Sequence, residues 1–219
     1  MSLNGKVTEL MPSTIVPFNV KSRPSQTPEN GKVPPARRPN AELRSREYLT
    51  GSEVESLMQA ASRTGRHGHR DRTLILIAYR HGLRVSELVA LRWDQVDLTA
   101  GLLHVNRAKN GTPSTHPLRG PELRALRKLP RPTPYVFSSE RGSPLTPSSV
   151  RKIVARAGSL AGIACPVHPH MLRHACGFKL ANDGQDTRAI QHYLGHKNIS
   201  HTVKYTELSP DRFQTFWRD

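Results

Sequence analysis

Asp71-Arg72-Thr73-Leu74-Ile75-Leu76-Ile77-Ala78-Tyr79-Arg80-His81-Gly82-Leu83-Arg84-Val85-Ser86-Glu87-Leu88 sets an uninterrupted apolar run, Leu74 to Ala78, just ahead of a glycine and a short charged segment. Such a run is too apolar for a helix lying on a surface, so Asp71 to Tyr79 is expected to form a central helix that stops at Gly82. A short helix from Ser86 to about Leu91 follows it. Upstream, Thr50-Gly51-Ser52-Glu53 has capping-box spacing ahead of Val54, Leu57, Met58 and Ala61 at helical intervals. That predicts a first helix over roughly 51–62. Downstream, residues 101–105 and 114–118 flank Lys109-Asn110-Gly111, where Asn-Gly marks a hairpin turn. Pro117 cannot donate a ladder hydrogen bond, so the second strand is expected at a sheet edge. Beyond Gly120 the apolar spacing returns to helices, at about 121–129, 147–162, 169–182, 186–194, 200–207 and 210–217, with Pro147 near the start of the second. The expected fold class is therefore α+β, mainly α with a small antiparallel β-sheet.

The chain has 219 residues, with 33 Lys and Arg against 17 Asp and Glu, a formal charge of +16. A field of that sign attracts polyanions, and nucleic acid leads the candidates. Mean hydropathy is −0.56, and no apolar stretch approaches the roughly 20 residues of a membrane-spanning helix. No basic amphipathic helix with a Trp/Phe/Leu face stands out, so an anionic membrane surface is not the expected partner. The first 20 residues hold no basic segment followed by an apolar core and a small-residue cleavage site, so no secretory signal is read there. Two cysteines, Cys165 and Cys176, are too few for a disulfide framework, which points to a reducing, cytoplasmic compartment and association with the nucleoid. Residues 1–40 carry seven prolines among Ser, Thr, Asn and Lys. The expected partition is a flexible, proline-rich basic arm over 1–47 and one folded domain over 48–219.

Four places concentrate basic groups where helices begin or end: Gly82-Leu83-Arg84-Val85-Ser86-Glu87-Leu88, Lys109 in the hairpin, His170-Met171-Leu172-Arg173-His174, and Leu194-Gly195-His196 followed by Tyr205. Each piece alone is common, and each arginine alone reads better as a surface or ion-paired residue. In this order and spacing, over about 48–217, the set resembles the tyrosine recombinase (phage integrase) family. The resemblance implies that family's catalytic-domain fold and DNA strand breakage and rejoining through a covalent 3′-phosphotyrosine, with no metal and no cofactor.

It also implies roles. Arg84 and Arg173 clamp one phosphate, a task suited to a planar guanidinium that stays charged at any relevant pH. Tyr205 is the nucleophile. A free phenol has a pKa near 10, so only about one part in a thousand is ionised at neutral pH, and it needs a base. The resemblance gives that role to His170, makes His196 a donor to a phosphate oxygen, and has Lys109 protonate the departing 5′ oxygen. Arg107, two residues from Lys109, is the alternative if the register slips. Glu87 is expected to orient its neighbours, and His174 and Cys176 either to pack or to support the site residues from behind. A zinc site on His170 and His174, four apart, or on His192 and His196 is the other reading of these histidines, but no H-E-x-x-H or C-x-x-C accompanies them.

The separate core-binding domain of most relatives is not recognised ahead of the catalytic segment. This short form is similar to the fimbrial phase-switch recombinases, which invert a promoter segment. Expected partners are double-stranded DNA, further copies of the chain as a tetramer on synapsed DNA, and accessory DNA-bending proteins. The helix over 210–217, with Phe213, Phe216 and Trp217, either docks on a neighbouring copy or closes its own core. Inversion, excision and integration all remain open at this stage. So do a catalytically silent DNA-binding regulator with the same fold and a type IB-like topoisomerase.

Overall fold

The computed structural model describes residues 47–107 and 112–206. The first helix, α1 (Gly51–Ser62), begins where Thr50 Oγ1 accepts the Glu53 N–H at 3.3 Å while Glu53 Oε2 accepts the Thr50 N–H at 2.8 Å. This reciprocal box satisfies two backbone donors that would otherwise face solvent unpaired. Its buried face is Val54, Leu57, Met58 and Ala61, as the spacing predicts. Helix α2 (Gly68–Arg80) carries the apolar run and packs against α1 on one side. Leu74, Ile75 and Ile77 are fully buried, each burial contributing about 2 kcal/mol.

A short α3 (Val85–Val89) and a 3-10 turn (Trp93–Gln95) lead to β1 (Val96–Asp97), β2 (Leu102–Val105) and β3 (Ser114–Pro117). These strands make an antiparallel sheet in the order β1-β2-β3, with Leu103 opposite His116 and Leu102 opposite Pro117. Pro117 thus lies on an edge strand, as expected. The strand β1 was not anticipated: two residues leave no alternation to read.

The rest is helical: α4 (Gly120–Arg127), α5 (Pro147–Leu160), α6 (Pro169–Asn182), α7 (Thr187–Leu194) and α8 (Ser200–Thr206). Thr146 caps α5, its side chain accepting the Ser149 N–H, and Pro147 takes a first-turn position where a missing N–H costs nothing. Asp186 caps α7 by accepting the N–H groups of Arg188 and Ala189. The central helix starts three residues earlier than the apolar run indicates, and the other helix ends fall within about two residues of expectation. The basic arm, the hairpin tip with Lys109, and the helix expected over 210–217 lie outside the described residues.

One large apolar core joins α1, α2, α5 and the sheet. A smaller cluster of Cys176, Ala181, Ile190, Leu194 and Tyr205 sits where α6, α7 and α8 meet. Among the described residues no helix is long and apolar enough to cross a membrane.

Candidate active site

The end of α2 turns at Gly82, whose φ of 57° is costly for any residue with a side chain. A Cβ there would also run into Leu194 Cδ2. This turn aims the Gly82 carbonyl at Arg173, on the first turn and a half of α6, and places Arg84 at the head of α3. Arg173 is 1% exposed. Its guanidinium donates through Nη1 to the Gly82 carbonyl and through Nη2 to the Leu194 carbonyl at 2.6 Å. Three segments far apart in sequence are held by one side chain.

Arg84 is fixed differently. Glu87 Oε1 accepts from Arg84 Nη1 at 2.8 Å, and Oε2 accepts the Arg84 backbone N–H at 2.9 Å. The same Oε2 accepts from Arg107 Nη1 at 3.0 Å. Burial alone would raise the Glu87 carboxyl, but the Arg84 N–H and the Arg107 and Arg84 charges hold it below the ordinary range. Glu87 therefore stays ionised and orients two arginines, as expected of it. Arg107, whose side chain is wholly buried, also donates to the Tyr193 carbonyl. It is a structural residue that faces inward just after β2, which argues against the register that would put it in the place of Lys109.

Gly195 ends α7 in the left-handed conformation, with φ 64°. A Cβ would lie 2.8 Å from Arg107 Cδ, so the glycine both makes the turn and clears room for the arginine stem. The turn delivers His196, whose Nδ1 is held by Thr202 Oγ1 at 2.8 Å. Behind this layer, the fully buried His116 of β3 stacks on Tyr193 with ring centroids 3.8 Å apart, and its Nδ1 lies 3.2 Å from His81 Nδ1.

Tyr205 lies on α8, 1% exposed, against the backbone of α6 at Gly177. A Cβ on Gly177 would come within 2.6 Å of Tyr205 Cε2. Phe178 meets the phenol ring edge-on at 5.0 Å, His196 lies over it at 6.1 Å, and Lys204 Nζ is 5.5 Å from its centroid. The hydroxyl is 2.9 Å from His174 Nδ1.

A cavity of about 420 Å³ is lined by Arg84, His170, Arg173, His196 and Tyr205. Five of the six anticipated site residues are thus gathered, and Lys109 lies outside the described residues. The cavity wall adds His174, Lys197, Asn198, His201 and Lys204. Of these, His174 matters most, because it bonds Tyr205, which agrees with a supporting position and not with packing alone. His170, expected beside the phenol, reaches it through no hydrogen bond among the described residues; its ring lies edge-on to His174 at 4.4 Å. Cys176 does pack, its thiol pushed up to about 12 by burial and therefore unreactive.

The electrostatics are those of a site prepared for an anion. Burial, then the nearby Arg84 and Arg107, lower Arg173 to about 10, still charged at neutral pH. Burial, followed by neighbouring positive charge, lowers His170 to about 4 and His174 and His196 to about 3. Burial raises Tyr205 to about 12, with Arg173 opposing. At pH 7 these three imidazoles are neutral, the phenol is protonated, and Arg173 carries its charge. No group of three His, Cys, Asp or Glu side chains among the described residues is placed to hold a metal ion.

Fixed guanidinium groups, neutral imidazoles and a phenol line one cavity on a mainly helical frame with a small sheet, a set chemically able to hold a phosphate beside a hydroxyl nucleophile. Residues 47–212 match the phage integrase family, and the chain belongs to it: it is a tyrosine recombinase, an enzyme of DNA strand breakage and rejoining. It is 46% identical over 181 residues to the type 1 fimbriae regulatory protein FimE of Escherichia coli (strain K12), covering 78% of this chain and 91% of that protein. The crystal structure of the XerA recombinase superposes with a TM-score of 0.67 at 28% identity, covering 76% of this chain and 62% of that one. A lambda integrase (75–356) dimer bound to a COC′ core site superposes at 0.59 and 25% identity, over 70% of this chain and 59% of that one.

Proposed function

We propose that Tyr205 attacks a DNA phosphodiester to give a 3′-phosphotyrosine and a free 5′ hydroxyl, and that a 5′ hydroxyl from a partner duplex then resolves the ester. The observation that carries the reading is the Arg173 guanidinium, tied to Gly82 and Leu194 within one cavity with Arg84, His196 and Tyr205. As phosphorus becomes pentacoordinate its nonbridging oxygens gain negative charge, and prepositioned arginines lower the barrier because they need no reorganisation. His196, held by Thr202, donates to one of those oxygens, His170 stands beside the same phosphate, and Lys109 protonates the leaving 5′ oxygen. The ester conserves the bond, so the two exchanges are similar in energy and no nucleotide cofactor is called for.

The working assembly in this reading is a tetramer on two synapsed duplexes in the cytoplasm, associated with the nucleoid and helped by DNA-bending proteins. The +16 charge supports sequence-independent attraction to the backbone, with steep salt dependence. The five site residues gathered at the cavity favour an enzyme over a silent regulator. The test is a duplex from the chromosomal DNA next to the gene, nicked near the scissile phosphate so that cleavage traps the ester. Wild type should yield a protein-linked band that Tyr205→Phe does not. Persistence of the band in the variant would mean that another residue forms the bond. Relaxation of plasmid at random sites, without strand exchange, would instead favour the topoisomerase.

A further inference from the structure

We infer that His174 is a catalytic residue, its Nδ1 receiving the phenolic proton as Tyr205 attacks, in place of the His170 that the family resemblance nominates. The inference rests on the proposed cleavage by Tyr205. Its basis is geometric. Tyr205 Oη is 2.9 Å from His174 Nδ1, in the range for direct proton transfer. The phenol is buried, and a buried O–H left without an acceptor costs several kcal/mol, roughly 1–3 from mutational data. The hydroxyl therefore donates to Nδ1, which fixes His174 as the tautomer protonated on Nε2. His170, one helical turn earlier, touches the His174 ring but not the phenol among the described residues.

Gly177 makes the bond possible. Without a side chain at that position, the phenol lies flat against α6, one turn beyond His174, and its hydroxyl comes level with the imidazole. Charges facing the pair come from every side. Arg173 and His170 share α6 with His174, His168 precedes it, Lys204 sits on α8, Arg84 on α3, and Glu47 near the start of the described chain. Most are cationic or neutral, so the free enzyme keeps His174 unprotonated and ready to accept. A DNA phosphate entering the cavity adds negative charge beside the ring, which favours the imidazolium when the proton arrives.

The step balances. The Oη–H bond breaks and its proton forms an N–H bond at His174 Nδ1. The Oη electron pair forms the bond to phosphorus, and the bond from phosphorus to O5′ breaks, with its pair taking a proton from Lys109. In the rejoining step the attacking 5′ hydroxyl loses its proton to Lys109, and His174 returns its own proton to the departing phenol.

The test uses the full chain and the duplex on which wild type, but not Tyr205→Phe, forms a covalent complex. Sulfur replaces the bridging 5′ oxygen, so the leaving group departs without a proton and Lys109 is not sensed. Asparagine at 174 keeps a hydrogen-bond acceptor for the phenol but cannot take its proton. With wild type, the rate of covalent attachment should be level between pH 6 and 9. His174→Asn should be at least 100-fold slower at pH 7 and gain about tenfold per pH unit, because hydroxide must then remove the proton. His170→Asn should be slower but level. A level profile in His174→Asn with a rising one in His170→Asn would overturn the assignment. So would a protonated Nδ1 on His174 in the ring-nitrogen NMR spectrum of the wild-type protein, a measurement that needs no variant to fold. No covalent complex with wild type on any adjacent duplex would bring down the proposed cleavage itself, and this inference with it.

Discussion

The guanidinium of Arg173 hydrogen-bonds the Leu194 carbonyl at 2.6 Å, across 21 residues of sequence. Because its other arm reaches Gly82, the side chain proposed to clamp the phosphate also holds the framework together. Lysine carries the same charge but has a single nitrogen and no planar fork. Arg173→Lys should therefore lower stability by about 3 kcal/mol, since a buried charge loses its fixed partners. It should also slow covalent attachment by about 10²- to 10³-fold. Urea unfolding and the trapping assay read the two effects separately. A variant of native stability and full activity would show that the carbonyl bonds are incidental.

Gly195 and Gly184 both sit at positive φ, 64° and 77°, but only Gly195 has Arg107 against it. Alanine at 184 should cost about 1 kcal/mol, the conformational penalty alone. Gly195→Ala should cost at least about 1 kcal/mol more, because the arginine stem must also move in a packed interior. Thermal midpoints of the two variants, measured side by side, give the difference directly. Equal shifts would mean that Arg107 yields freely.

Gly177→Ala places a methyl group where the Tyr205 ring now lies. The ring must lift from α6, regain solvent, and titrate closer to the ordinary phenol value of about 10. Ultraviolet difference titration, with Tyr205→Phe subtracted to isolate the one phenol, should show that fall from about 12. Covalent attachment should drop together with it, as the bond to His174 is lost.

Acid should weaken the fold through its buried histidines. His116 is fully buried and His174 nearly so, and burial lowers both to about 3. The unfolded chain titrates near the free value of about 6.5. Between those two values the unfolded state holds more protons, so stability is complete above about pH 6.5 and is lost as the pH falls toward 3. Each histidine contributes a slope approaching about 1.4 kcal/mol per pH unit in that window. Urea midpoints at pH 7.5, 6 and 5 should decline progressively, and His116→Leu should flatten the decline by about one proton's worth. An unchanged slope in that variant would place the uptake elsewhere.

The helical frame was legible because its signals are local: the Thr50–Glu53 box, the apolar run of α2, Pro147, and Gly195 at the end of α7. The positions of Arg84, Arg173, His196 and Tyr205 were legible because motif spacing records which turns must meet. What escaped is side-chain direction. His170 and His174 share a helical face, and no spacing rule says which ring meets α8. Arg107 reads from the motif only as an alternative to Lys109, although Leu103, Val105 and Arg107 follow the inward alternation of a strand, and the first two are buried with it. His116 stands likewise at an inward position of β3. His81 extends the buried stripe of α2 by one turn beyond Leu74, Ile77 and Ala78. In each case the period was present, and polarity obscured it.

Glu87 grips Arg84 with one oxygen and Arg107 with the other, and Arg107 sits two residues ahead of the hairpin lysine. The segment just after β2 and the guanidinium at the cavity wall are thus joined by two charged links through one carboxylate, bypassing the apolar interior. Any change at that lone carboxylate is therefore felt at both ends of the link.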